Sequence, residues 1–264
     1  MSDSHEIEAI PCPWVHPGKG QRFFFVPKGE NRIAHGLRTM RQWEYGFLGS
    51  LYSDAVKRGG PGSFLDVGAN FGSTSVIAAD FFSMIHGFEM EERNCLIFAH
   101  TMQANGIPFR LYKCAVSDYV GDATAYISGP NAGGHSLVAW TTGHGDPFPV
   151  RTIALDRLAA EITDARFIHV DTEGHDLRVL AGAHDFIRKQ TARPTIQIEF
   201  TPLALRNHGS KVGDLFRFMD ALGYQAHMNA GNVCAPLRKE TLSAMFEDWR
   251  SIEMLDLILI PQGT

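Results

Sequence analysis

Phe64-Leu65-Asp66-Val67-Gly68-Ala69-Asn70-Phe71-Gly72 reads as a buried strand that ends in an acidic residue and turns through glycines into a helix beginning at Ser73. Small residues and unpaired backbone N–H groups at such a strand end let a ligand approach the main chain closely. A dinucleotide site would carry the three glycines of Gly-x-Gly-x-x-Gly to admit a pyrophosphate. Here the pattern after Asp66 is Gly68-x-Asn70-x-Gly72, and an acid before the turn suits a cationic ligand better than a diphosphate.

Outward from this turn, short apolar runs alternate with helical patterns. Ser63 to Val67 reads as strand, Ser73 to Phe82 as helix, Met84 to Glu89 as strand, Arg93 to Asn105 as helix and Phe109 to Val116 as strand. The alternation resumes with strand Arg166 to Val170, helix Asp176 to Arg188, strand Thr195 to Phe200 and helix Val212 to Leu222, and closes with strands Gln225 to Asn229 and Leu255 to Ile260. Strand-helix-strand units of this kind wind into a parallel sheet, so the fold class is α/β. Residues 1–37, rich in Pro, Gly and aromatics, read as an N-terminal arm of irregular chain or short strands able to cover a cleft. Residues 38–264 form the main domain, in which Met40, Trp43, Phe47, Leu48, Leu51 and Tyr52 mark an amphipathic helix from Arg38 to Val56. Glycine and proline clusters break the alternation at about 121–150, which reads as an inserted hairpin or loop.

The 264 residues are 44% hydrophobic and 20% charged, enough to bury a large core. A formal charge of −5 with dispersed lysines and arginines gives no footprint for a phosphate backbone, so nucleic acid is not an expected partner. Cys12, Cys95, Cys114 and Cys234 lack the paired spacings of zinc or redox sites and read as reduced thiols. No signal peptide or membrane-length apolar run is visible, and the expectation is a soluble, cytoplasmic protein without a membrane partner.

At the end of the second strand stands Glu89, where a carboxylate can accept hydrogen bonds from both hydroxyls of a ribose. S-adenosylmethionine (SAM) carries an α-ammonium group, a sulfonium and a ribose. Acids at the first turn and at the second strand end match those groups, with Met90 and the pair Ser117 and Asp118 placed for its adenine. The candidate cofactor residues are therefore Asp66, Gly68, Asn70, Phe71, Gly72, Glu89, Met90, Ser117, Asp118 and Asp171.

With these residues the chain resembles the FkbM family of methyltransferases from about Trp43 to about Ile260. The turn Phe64 to Gly72 is similar to that family's cofactor motif. His169-Val170-Asp171-Thr172-Glu173-Gly174 is similar to its fourth-strand motif, commonly Lys-Ile-Asp-Val-Glu-Gly. The resemblance implies a seven-stranded Rossmann-like sheet, mostly parallel with the last strand antiparallel and helices on both faces. It also implies SAM as donor and usually an alcohol oxygen as acceptor. His169 departs from the family's lysine.

Methyl transfer to an alcohol needs alignment, exclusion of water and a group to take the hydroxyl proton. The candidates are His169, Asp171, Glu173 and Glu199 at strand ends and His135 in the glycine-rich loop. Positions 169 and 171 share a face of their strand. Glu173 has a second reading as the cap of the following helix, and His135 as a surface histidine. His169, Asp171 and Glu199 are also of the types that hold a divalent metal, although their spacing requires none and no metal ligand is assigned. The expected reaction is O-methylation of a small-molecule, glycosyl or natural-product acceptor. N-methylation, an inactive SAM-binding protein and a nicotinamide-dependent oxidoreductase are the alternatives. The arm and the stretch Lys239 to Met254 are places for a lid or a homodimer contact.

Overall fold

The computed structural model describes residues 6–13, 18–30, 32–39, 42–128, 134–137, 144–229, 233–250, 252 and 254–263. The arm contains β1 (Ile7–Pro11) and β2 (Phe23–Pro27), paired antiparallel, and then α1 (Arg32–Thr39). Glu30 starts α1 by accepting the backbone N–H groups of Arg32 and Ala34 at 3.0 and 2.8 Å, which satisfies donors that a first turn leaves open. The expected single helix from Arg38 is instead α1 followed by α2 (Gln42–Gly59), and Met40 lies outside the described residues.

The alternating region gives β3 (Ser63–Val67), α3 (Ser73–Ala78), β4 (Met84–Glu89), α4 (Glu92–Ala104), β5 (Phe109–Lys113) and the two-residue β6 (Ala115–Val116). The expected strand from Phe109 to Val116 is thus divided, because Ala115 and Val116 leave the main sheet to pair with another strand. That partner is β8 (His144–Ile153), which also pairs antiparallel with β7 (Gly121–Ser128). Then come β9 (Ala165–Val170), α5 (Asp176–Ala181), α6 (His184–Arg188), β10 (Thr195–Phe200), α7 (Pro202–Asn207), α8 (Val212–Leu222), β11 (Tyr224–Asn229), β12 (Cys234–Pro236), α9 (Lys239–Glu247) and β13 (Leu255–Pro261).

The main sheet runs in the order β12-β11-β13-β10-β9-β3-β4-β5. β5, β4, β3, β9 and β10 are parallel, and β13 lies antiparallel between β10 and β11. The seven expected strands are present, with β12 added at one edge. Strands such as β3, buried on both faces, need apolar cover on each side. One core contains Leu65, Ile168, Ile196 and Phe218, and the other contains Phe64, Phe167, Tyr52 and Phe98. The order of β3 and β9 puts the carboxyl ends of the central strands side by side where crossovers leave in opposite directions, the position of ligand crevices in open α/β sheets. No helix among the described residues is long and apolar enough to cross a membrane.

Candidate active site

A pocket of about 260 Å³ opens at the ends of β3, β4 and β9. Its floor is the Gly68–Asn70 turn, which adopts left-handed backbone at Gly68 (φ 86°) and Asn70 (φ 48°). Gly68 is required there, because a Cβ at that position would meet the Asp171 carbonyl oxygen at 1.8 Å. The Asp171 N–H also donates to the Val67 carbonyl at 2.9 Å, so the first turn and the end of β9 form one rigid corner.

Glu89, 6% exposed, forms the opposite wall. Its Oε2 accepts the Asn70 N–H at 2.8 Å, and its Oε1 accepts those of Met90 and Glu91, also at 2.8 Å. Oε1 is filled by these two bonds, and Oε2 keeps one lone-pair direction for a ligand hydroxyl. Burial pushes the carboxyl up to about 7 against the pull of the three backbone donors. Gly68, Asn70, Glu89 and Met90, four of the candidate cofactor residues, all line the pocket.

Asp66 lines it too but has a different partner from the expected cationic ligand. At 1% exposure it accepts Ser75 Oγ–H on Oδ2, and its Oδ1 lies 2.9 Å from His169 Nδ1. The β3–β9 register sets Asp66 directly opposite His169. Burial alone would depress the imidazole, but the Asp66 hydrogen bond and the charges of Asp66, Asp171 and Asp256 hold it up to about 9. These interactions favour the charged imidazolium. In that form His169 stands as a cation where the family commonly has a lysine, with the Asp66 hydrogen bond occupying Nδ1.

Asp171 and Glu173 form the pocket wall beside Gly68, and Glu199 joins them from β10. Burial raises all three carboxyls, Glu173 to about 8 and Glu199 to about 10; the charge of Asp171 adds to the rise of those two, while His169 opposes the rise of Asp171. Glu173, at φ 53°, does not cap α5. Among the described residues no side chain caps α5; Asp176, its first residue, braces the preceding loop instead, its carboxylate accepting the N–H groups of Thr172 at 3.3 Å and Gly174 at 3.1 Å. Glu173 is left facing the other acids.

Four expected cofactor residues fall outside the pocket lining. Phe71 is 2% exposed within an apolar core. Gly72 (φ 83°) precedes α3 and packs so tightly that a Cβ would lie 2.8 Å from Met102 and 2.9 Å from Phe98. Ser117 and Asp118 turn toward α5, where Ser117 Oγ meets His175 Nε2 at 2.9 Å and Asp118 pairs with Arg178 at 2.8 Å. The strand's departure at β6 brings Ala115 and Val116 to the pocket in their place.

His135 does line the pocket. Burial lowers its pKa and the charge of Glu91 opposes that effect. Its neighbour Ser136 donates to the Glu173 carbonyl at 3.0 Å and ties the 134–137 segment to the end of β9. The sequence reading missed Arg32 and Ile33, which reach the pocket from α1, and His175, which borders it from behind. Nothing local marks Arg32 or Ile33, since only the chain's return over the sheet brings them there. His175, directly after the Glu173-Gly174 motif, was open to notice.

Residues 66–226 match the family described as "Methyltransferase FkbM domain". The chain belongs to the FkbM methyltransferase family. No curated protein matches it significantly in sequence. Similar solved structures include a TehB-like SAM-dependent methyltransferase from Corynebacterium glutamicum, at 13% identity over 87% of this chain and 92% of that one, with a TM-score of 0.45. Magnesium protoporphyrin IX methyltransferase from Synechocystis, solved with bound SAM, is 12% identical over 88% and 85%, with a TM-score of 0.44. An rRNA methylase from Streptococcus thermophilus is 8% identical over 83% and 95%, with a TM-score of 0.44. As a member of its family this chain is a SAM-dependent methyltransferase. The pocket's lining fits such a donor: Glu89 has a buried carboxylate oxygen that could accept a ribose hydroxyl, beside the backbone of the Gly68–Asn70 turn.

Proposed function

We propose that the protein methylates a hydroxyl oxygen of a small-molecule, glycosyl or natural-product acceptor. Asp171 and Glu173 carry this reading: they form the pocket wall next to the Gly68 turn, so carboxyl groups border the place where the acceptor must meet the donor. Bound SAM supplies an electrophilic methyl, to which an acceptor lone pair bonds while the carbon–sulfur pair leaves on sulfur and the acceptor's proton departs. Asp171 and Glu173 orient the acceptor hydroxyl and take that proton. His169, held by Asp66, keeps a positive charge beside Asp171 and fixes its side of the site. Arg32 and Ile33 on one side and the segment tethered by Ser136 on the other keep water out.

The test uses methyl-labelled SAM with a panel of hydroxyl-bearing and amine-bearing acceptors, followed by fragmentation mass spectrometry. The label is expected on oxygen, and a label found on nitrogen overturns the assignment. Asp171→Asn should lower kcat by about 10²–10⁴ while SAM affinity stays within a few-fold, the signature of a lost proton acceptor.

A further inference from the structure

At the carboxyl ends of β9 and β10, Asp171, Glu173 and Glu199 converge, each offering an oxygen within 4.8 Å of the others. Oxygen ligands around one hard cation at about 2.0–2.6 Å from it lie within such distances of each other. Among the described residues this is the group of possible ligands that converges in this way. Two of its members, Asp171 and Glu173, line the pocket, so the cluster adjoins it.

A separate observation concerns unsatisfied oxygens at the same place. Gln197 is only 5% exposed, and its Oε1 has no hydrogen-bond partner. It stands two residues before Glu199 and pairs with His169, which stands two residues before Asp171, so the register puts Gln197 on the cluster's face of the sheet. Oε2 of Glu199 and Oγ1 of Thr172, at the same strand ends, are likewise buried without a partner. A buried acceptor left unpaired costs about 1–3 kcal/mol, and a missing ion or water is one of the explanations such a group calls for. The neighbouring His169 hydrogen-bonds Asp66 at 2.9 Å while its charge also favours ionised Asp171, Arg32 favours ionised Glu173, and Asp66, Asp176 and Asp256 add further negative charge.

We propose that Asp171, Glu173 and Glu199 bind one divalent cation of the oxygen-preferring kind, Mg²⁺ or Mn²⁺. Three carboxylates without thiolate or a free imidazole are a hard donor set, unsuited to zinc or copper. The cation's remaining positions are open to the acceptor, whose hydroxyl oxygen enters the shell and becomes more acidic. Its proton passes to a carboxylate oxygen that does not touch the metal. This second step rests on the O-methylation reading; the cation site itself does not.

Mn²⁺ is titrated into the full chain, with free ion followed by its paramagnetic resonance signal, and Mg²⁺ is then added in competition. One Mn²⁺ is expected per chain with submillimolar affinity, displaced by Mg²⁺, and weakened at least about tenfold in Glu199→Gln, which keeps shape and removes charge. A Glu199→Gln variant that retains SAM binding shows that its fold is intact. Failure of the wild-type chain to remove free Mn²⁺ at low-millimolar concentration overturns the site, as does equal affinity in the variant. Mn²⁺ uptake without methyl transfer to any hydroxyl would leave the site standing and count against the acceptor reading. Full transfer in chelator-treated enzyme would leave that reading standing and overturn the cation's part in the reaction.

Discussion

At the scale of residues, the site is an arrangement of charges set by backbone register. Asp66 and His169 meet because β3 and β9 pair at that level, and the buried pair replaces a cation that the family commonly provides as lysine. Removing one partner of a buried pair leaves the other charge without compensation. His169→Asn should therefore lower unfolding free energy by about 3 kcal/mol, and His169→Lys should recover most of it. Denaturant titration of the purified variants reads this, and equal loss in both would show that charge is not what matters. Glu89 makes a prediction about pH. Its carboxyl is raised to about 7 by burial, so it gains a proton as pH falls through neutrality and loses an acceptor for the ribose. SAM affinity should hold above that pH and fall by up to about tenfold per unit below it, a limb absent from Glu89→Gln. Asp66, Glu89, Asn70 and Gly68 were legible in the sequence as site residues, since motif position alone puts them at strand ends. Asp66's partner was not legible, because only the pairing of strands 103 positions apart in sequence reveals it. Ser117 and Asp118 were misplaced for the same kind of reason: β6 leaves the main sheet one residue after β5 ends.

At the scale of elements, Met84–Glu89 and Thr195–Phe200 have the bounds the sequence suggests, because in each short strand apolar residues recur and the chain turns soon after an acidic residue, Glu89 or Glu199. The stretch from Asp176 to Arg188 reads as one helix but is two, α5 and α6, parted at Gly182 and Ala183. Gly182 accepts the Asp156 N–H at 2.9 Å, and a Cβ there would lie 2.1 Å from the Ser117 carbonyl oxygen. Helix periodicity continues through the break, whereas the contact that causes it comes from a remote loop. Gly182→Ala should destabilise the protein by about 2 kcal/mol despite alanine's better helix propensity. Thermal or denaturant unfolding measures this, and a stabilised variant would show that the break is not enforced by packing. The same reasoning applies to α1, which sits in an arm whose prolines and glycines hide an eight-residue helix opened by Glu30.

For the whole molecule, the architecture was legible and the acceptor side was not. Alternating elements define a mostly parallel sheet, and the antiparallel β13 follows the family's pattern. By contrast, the pocket's lining joins Arg32 and Ile33 from near one end of the chain to His135 and Leu137 from the middle, a juxtaposition that no local pattern encodes. The central claim is that the pocket between the Gly68 turn and Glu89 holds SAM. Calorimetric titration of SAM and its demethylated product into the wild-type chain and into Glu89→Ala tests it most directly. One site is expected in the wild type, weakened by about 1–3 kcal/mol in the variant, roughly tenfold to hundredfold in affinity, with the fold retained. Absence of binding by the wild-type chain, or equal binding by Glu89→Ala, would contradict it.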